Sequence, residues 1–323
     1  MDKEREARIA VVMAVYNGEL YLEEQLRSIA AQESADWHLF LSDDNSADSS
    51  REIIARMADL YPDRISLAGN APENRGSRNN FGNALKTARG YDYYMFSDQD
   101  DVWMPDKTAV LLERMRGLEQ LYGRDCPLLV YSDLEVTDTA LHTLSPSFIR
   151  SSALRLPEKN ILQQFLLYNC IPGCSMMMNA ALRDLAGDIP REAYMHDWWI
   201  ALTAAAFGKM ALVEKPLVKY RQHGGNTVGT IRAESDTERL KKYASLGKIG
   251  RAYANNRDMK TMRREQARKF LSVYEDRLPP ESASVIRTYL RLLERRGPVP
   301  AISALRSGFR FLSPAYTVKF FGM

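Results

Sequence analysis

From Arg8 to Lys107 the chain alternates short β-rich runs with stretches of helical spacing, and this alternation constrains the fold more than any other feature. "RIAVVMAV" reads as a strand, "ELYLEEQLRSIAAQ" as a helix, "WHLFLSDD" as a strand, "ADSSREIIARMADLY" as a helix and "RISLAG" as a short strand. A helix from about Arg78 to Ala88, the strand "YDYYMFSD" and a helix beginning near Pro105 complete the run. Repeated βα units of this length predict an α/β fold, a mostly parallel sheet with helices on both faces. The ligands of such sheets sit at the carboxyl ends of the strands. Three of those ends are polar: "YNGE", "SDDNSADSS" and "SDQDD". In parallel strands they share one rim.

The second half is less regular. It holds strand-like "CPLLVYSDLEV", a helix from about Leu156 to Tyr168, "GCSMMMN", a helix containing "HDWWIALTAAAFG", then "KMALVEKPLVKYRQHGGNTVG". From about Glu234 the pattern is helical and basic. The net charge of +3 conceals a division: residues 239–323 carry +13 and residues 1–238 carry −10, a split that points to an anionic partner for the tail. The longest apolar segments fall short of the roughly 20 residues that span a bilayer. The start "MDKEREARIA" lacks the basic end and apolar centre of a secretory signal, so the expected compartment is the cytoplasm. Three cysteines are too few for a disulfide framework and lack the spacing of a zinc site, so they read as buried, reduced side chains.

The rim carries the chemistry. Asp98, Asp100 and Asp101 fall within four positions directly behind a buried strand. One such acid is commonly a helix cap. Three repel one another unless a cation, a donor or solvent compensates them. Carboxylate oxygens suit Mg²⁺ or Mn²⁺, and one or two carboxylates with substrate phosphates is the usual way to hold Mg²⁺. A diphosphate-bearing substrate is the reading that follows. In "SDDNSADSS" the capping roles of Ser46 and Asp48 leave Asp43 and Asp44 to be explained. Neither a "GxxxxGK[ST]" nor a "GxGxxG" loop follows the first strand.

In this order, "AVYNGELYLEEQLRSIAAQ", "SDDNSADSS", "ENRGSRNNFGNAL" and "SDQDDVWMPDK" resemble the nucleotide-binding half of family 2 glycosyltransferases of the GT-A fold. "PGCSMMMN", "HDWWIAL" and "YRQHGGNTVG" are similar to the bacterial rhamnosyltransferase subgroup. The resemblance divides the chain into a transferase domain, residues 1–230, and a helical basic extension, residues 231–323. Residues 8–125 are then the nucleotide-binding half and residues 126–230 the acceptor and catalytic half. It puts the base against Ala14, Val15 and Tyr16 with Asp44 at the base edge, and Arg78 and Asn80 in the segment that closes over the nucleotide. Asp98 and Asp100 match the D-x-D pair, Asp98 near the ribose and Asp100 on a Mg²⁺ or Mn²⁺ ion that His223 can also reach. Asp197 matches the catalytic base of an inverting displacement.

Taken by themselves these later positions stay open. Asp197 also reads as a helix cap, Trp198 and Trp199 as core or as walls of an acceptor pocket, and His223 as a surface residue in a loop that Gly224 and Gly225 let swing. The implied donor is a nucleoside diphosphate sugar, dTDP-L-rhamnose by subgroup. The implied acceptor is a saccharide, lipid-linked in many relatives, and nucleic acid is not an expected partner. Cations interleaved with Phe309, Phe311, Phe320 and Phe321 read as a peripheral contact with an anionic membrane, or as a solvated helix face. A nucleotidyltransferase and a non-catalytic nucleotide- or membrane-binding module are the competing readings.

Overall fold

A computed structural model of the chain describes residues 6–33, 36–69, 75–152, 158–223, 257–295, 298–311, 317–318 and 320–321. Strands β1 (Arg8–Val15), β2 (Asp36–Asp43), β3 (Ile65–Ala68), β4 (Tyr93–Ser97), β5 (Val102–Trp103), β6 (Leu128–Thr137), β7 (Thr143–Ser145), β8 (Met176–Asn179) and β9 (Lys209–Arg221) form one sheet. Its order is β3-β2-β1-β4-β8-β6-β9-β5, with β7 on β6. β3, β2, β1 and β4 run parallel, as the βα alternation predicts. β8 then enters antiparallel to both β4 and β6, and β9 returns parallel to β6.

Period-2 alternation sends each strand into two cores. Ala10 and Val12 of β1, Tyr94 and Phe96 of β4 and Met176 and Met178 of β8 face one layer, whereas Ile9, Val11, Met13, Tyr93, Met95 and Met177 face the other. With both faces covered, these strands read as unbroken apolar runs. The second layer receives α1 (Leu22–Ala30), α2 (Ser50–Leu60) and α4 (Lys107–Tyr122). In α1 the residues Leu22, Leu26 and Ile29 recur at helical spacing and are buried. The first layer receives α3 (Ser77–Thr87), α6 (Ile161–Leu167), α7 (Ala180–Ala186) and α8 (His196–Phe207). A short helix, α5 (Phe148–Ser152), follows β7.

The basic extension packs on the same layer. Helices α9 (Arg257–Tyr274), α10 (Pro280–Glu294) and α11 (Pro298–Arg306) share a core with α6 and α8. Trp199 lies 5.2 Å from Phe270, Tyr168 stacks on Phe311, and Ser282 Oγ donates to Ala206 O (2.7 Å). This corrects the expectation for the terminal phenylalanines. Phe309, Phe311, Phe320 and Phe321 are buried, clustered around Tyr289 and the ring faces under Arg263. Burying four rings in a protein core removes the area that a membrane contact would have used. Arg263 is itself buried, and Arg268 and Lys269 pair with Glu294 and Glu192, so the charge of the tail is only partly displayed. What α11 does expose is Val299, Ile302 and Arg306, with Arg310 beyond it. Among the described residues no helix is long and apolar enough to cross a membrane.

Candidate active site

β1 has β2 on one side and β4 on the other, so the connections that follow β1 and β3 run to opposite sides of it, the arrangement that forms a crevice at the carboxyl ends of such strands. The loop after β1 is fastened to the loop after β2 residue by residue. Asn17 N–H donates to Ser46 Oγ (2.9 Å), Ala47 N–H to Asn17 Oδ1 (2.9 Å), Gly18 N–H to Ser50 Oγ (2.8 Å) and Glu19 N–H to Asp48 Oδ2 (2.9 Å). Asn17 takes a left-handed φ of 46°, which Asn tolerates better than most residues. Most polar residues of "SDDNSADSS" are therefore structural, Asp43 included, which accepts from Ser46 and from Arg51 Nε (2.8 Å).

Asp44 differs. Its backbone N–H donates to Val15 O (2.7 Å) and its Oδ2 accepts from Gly76 N–H (2.7 Å), but its buried Oδ1 has no hydrogen-bond partner among the described residues. Asn80 donates from Nδ2 to the same Val15 carbonyl (3.2 Å), and its buried Oδ1 likewise has no partner among the described residues. Two acceptors around one carbonyl suit a ligand that brings N–H or O–H donors, because an unmatched buried acceptor is costly. Ala14 is partly buried, Val15 is fully buried and meets the crevice through that carbonyl, and the Tyr16 ring is exposed. Arg78 turns elsewhere: its Nη1 donates to Arg191 O (2.5 Å) and Ala193 O (2.8 Å), bracing the segment that leads into α8.

The turn after β4 faces this loop. Gln99, between the two acids of the D-x-D pair, accepts from Tyr16 N–H (2.8 Å) and donates to Tyr16 O (2.9 Å). Gly18 permits this approach, since a Cβ there would come within 2.7 Å of Gln99 Oε1. Asp100 Oδ2 lies 2.6 Å from His223 Nε2. Burial, then the charges of Asp100 and Asp197, push the Asp98 carboxyl up to about 7. Asp101 is fully buried and held well above the ordinary carboxylate range by desolvation and its two acidic neighbours. It comes within 4.8 Å of Asp98 and the Cys174 thiol. Lys107, also fully buried, donates to Cys174 O (2.6 Å) with its ammonium 3.5 Å from the centre of the Trp103 ring. Burial pushes this lysine down to about 7, so the cluster holds protons in place of charge, and a cation among these acids would let them ionise. The hard oxygen donors and the imidazole fit a divalent cation of the Mg²⁺ or Mn²⁺ type.

Asp197 is the second residue of α8 and near enough to Asp98 for their charges to repel. Its Oδ1 accepts from Trp198 N–H (2.6 Å), and burial pushes its carboxyl up to about 6. The preceding His196 is stacked on Phe81 at 3.9 Å and edge-on to Phe96 at 4.5 Å, and burial drives it down to about 3, so it is neutral. Gly173 lets its turn close on α8, since a Cβ there would lie 3.0 Å from His196 Nε2 and 3.3 Å from Asp197 Cβ. The acids of two motifs separated by almost a hundred residues thus feel one another's charge.

The tryptophans are corrected. Trp198 and Trp199 are buried, with Trp198 Nε1 donating to Phe165 O and Trp199 Nε1 to Ala186 O. Both indoles are satisfied inside the core and neither wall faces an acceptor. Gly224 and Gly225, expected to let the following loop swing, lie outside the described residues. Gln99, Lys107 and Arg221 join the site only in the fold. Gln99 carried a signal, its place inside the D-x-D pair, whereas a buried lysine or arginine carries none in one sequence.

Comparisons with known proteins bear on the fold and the family. The dTDP-rhamnosyl transferase RfbG of Shigella flexneri is 29% identical over 231 residues, 67% of this chain and 73% of that protein. The UDP-Glc:alpha-D-GlcNAc-diphosphoundecaprenol beta-1,3-glucosyltransferase WfgD of Escherichia coli is 31% identical over 119 residues, 36% of this chain and 44% of that protein. The crystal structure of S. aureus TarS 1-349 in complex with UDP-GlcNAc superposes with a TM-score of 0.53 at 14% identity, covering 98% of this chain and 89% of that one. The fold is thus the GT-A fold. The family model of glycosyl transferase family 2 matches residues 10–186, from the start of β1 to the end of α7 and over half of the chain, and the chain belongs to that family.

Proposed function

We propose that this glycosyltransferase moves a sugar from a nucleoside diphosphate donor to a saccharide hydroxyl with inversion, and that it uses a divalent metal. The observation that carries this reading is the convergence of Asp98, Asp100 with His223, and Asp197 on one crevice, close enough for Asp197 to help raise Asp98. Asp44 Oδ1 and Asn80 Oδ1 supply the acceptors for the base, with Asp98 beside the ribose. Asp100 and His223 are the residues that would hold the metal, whose charge stabilises the departing diphosphate.

Asp197 takes the proton of the attacking hydroxyl. A carboxyl raised to about 6 is a stronger base than an ordinary one and still mostly ionised at pH 7. The base belongs to the α8 side, so residues 1–230 would carry donor and acceptor functions, and helices α9 to α11 of the extension would buttress them.

L-rhamnose from dTDP-L-rhamnose is the first donor to test, supported by the likeness to RfbG. A lipid-linked saccharide is the first acceptor, supported by the name of WfgD. Exposed Val299 and Ile302 beside Arg306 and Arg310 offer a modest contact for an anionic membrane surface. The test is transfer from dTDP-, UDP- and GDP-sugars to diphosphoundecaprenol-linked saccharides with Mn²⁺ and with chelator. Transfer from at least one donor, lost on chelation, supports the reading.

A further inference from the structure

Arg221 closes β9 and is 2% exposed, a rare position for a guanidinium unless it is fully paired. Its contacts run to separate parts of the chain. Nε donates to Asp100 O (2.8 Å), Nη1 to Thr139 O (2.5 Å) and Nη2 to Glu24 Oε2 (2.5 Å), while its backbone N–H donates to Asp101 Oδ1 (3.1 Å). The guanidinium lies 4.6 Å from the centre of the Tyr21 ring, and the His223 ring lies 5.2 Å from that same ring. Two of these bonds grip the peptide after Asp100, at its carbonyl and at the next side chain. The backbone that carries the Asp100 carboxylate is thereby held in place. The same residue ends β9 two positions before His223, whose Nε2 meets Asp100 Oδ2.

We propose that Arg221 is a positioning residue for the metal site, holding the β4–β5 turn and the end of β9 as one unit so that Asp100 and His223 face a common divalent ion. This rests on the assignment of Asp100 and His223 as ligands made above. Arginine is needed because its planar fork reaches acceptors in several directions while stacking on Tyr21. Lysine keeps the charge but not the fork. Residues that orient metal ligands typically change affinity by 10–100-fold when replaced.

The experiment is titration of Mn²⁺ into the full chain by calorimetry, with UDP or dTDP present, for wild type, His223→Ala, Arg221→Lys and the double variant, with melting temperatures alongside. Arg221→Lys should weaken Mn²⁺ about tenfold or more with a cooperative melt retained. Its loss should be less than additive with that of His223→Ala, because the two act on the same ion. Wild-type Mn²⁺ affinity in Arg221→Lys, or strictly additive losses, would overturn the proposal. Should Arg221→Lys fail to fold, Glu24→Gln carries the test from a half-exposed partner: a severalfold weaker affinity supports the role and an unchanged one refutes it. Failure of wild type to bind Mn²⁺, or indifference to His223→Ala, overturns the ligand assignment itself and the Arg221 proposal with it.

Discussion

Asp197→Asn is expected to make the protein more stable while nearly abolishing transfer. The Asp197 carboxyl is pushed from 3.8 up to about 6 by burial. The folded state therefore holds this proton to higher pH than the unfolded chain does. Stability falls as pH rises from about 4 to about 6, and above that the deficit is constant. About two pH units at 1.36 kcal/mol each give up to about 3 kcal/mol of destabilisation at pH 7. Asparagine is neutral throughout, and its Oδ1 can still accept from Trp198 N–H, so the helix start keeps its hydrogen bond. The substitution also removes one of the two charges that hold Asp98 up. Melting temperatures in EDTA from pH 4.5 to 8 should show the variant above wild type at pH 7, with the gap closing toward pH 4.5. Turnover should fall by about 10²–10⁴, and the acid limb of the wild-type rate should have its midpoint near pH 6. A variant less stable than wild type at pH 7, a gap that does not change with pH, or turnover within about threefold of wild type would refute this reasoning.

Asp100→Asn should keep a cooperative melt, shifted upward at pH 7 because it relieves Asp98 and Asp101, while removing Mn²⁺-dependent nucleotide binding; retention of wild-type Mn²⁺ affinity in calorimetry would count against the ligand assignment. Gly18→Ala places a Cβ against Gln99 and should release the two bonds to Tyr16. At about 0.5–1.5 kcal/mol per bond, nucleotide affinity should drop roughly tenfold, Gln99→Ala should match it, and unchanged affinity in both would show that the clamp is idle. Phe321→Ala, at a fully buried ring among Tyr289, Phe309 and Phe320, should cost about 3–5 kcal/mol in urea unfolding. A cost near zero would restore the ring to a surface role.

The parallel half of the sheet was legible because each strand has both faces covered and each helix one apolar stripe, patterns that local sequence records. The acid cluster was legible because three carboxylates in four positions need a reason to be together. β8 was not legible as the antiparallel strand between β4 and β6. Four residues, "MMMN", specify a buried segment but neither its direction nor its neighbours. The terminal phenylalanines are ambiguous in sequence for a related reason: rings interleaved with cations look alike whether they insert into lipid or close on a protein core. Arg263, buried against Phe311 and Phe320, is a cation used in packing, which no count of charges reveals. Arg221 lies more than a hundred residues from the acids it holds, so only the fold brings it to them.

The most direct measurement is donor turnover with and without free divalent metal, on wild type and Asp100→Asn, across dTDP-L-rhamnose, UDP-glucose, UDP-N-acetylglucosamine and GDP-mannose. The account predicts that at least one donor is cleaved in the presence of Mn²⁺, that EDTA stops this cleavage, and that Asp100→Asn does not recover it at any Mn²⁺ concentration tested. Cleavage that proceeds equally in EDTA, or that survives in Asp100→Asn, would contradict a metal-dependent transferase centred on these acids.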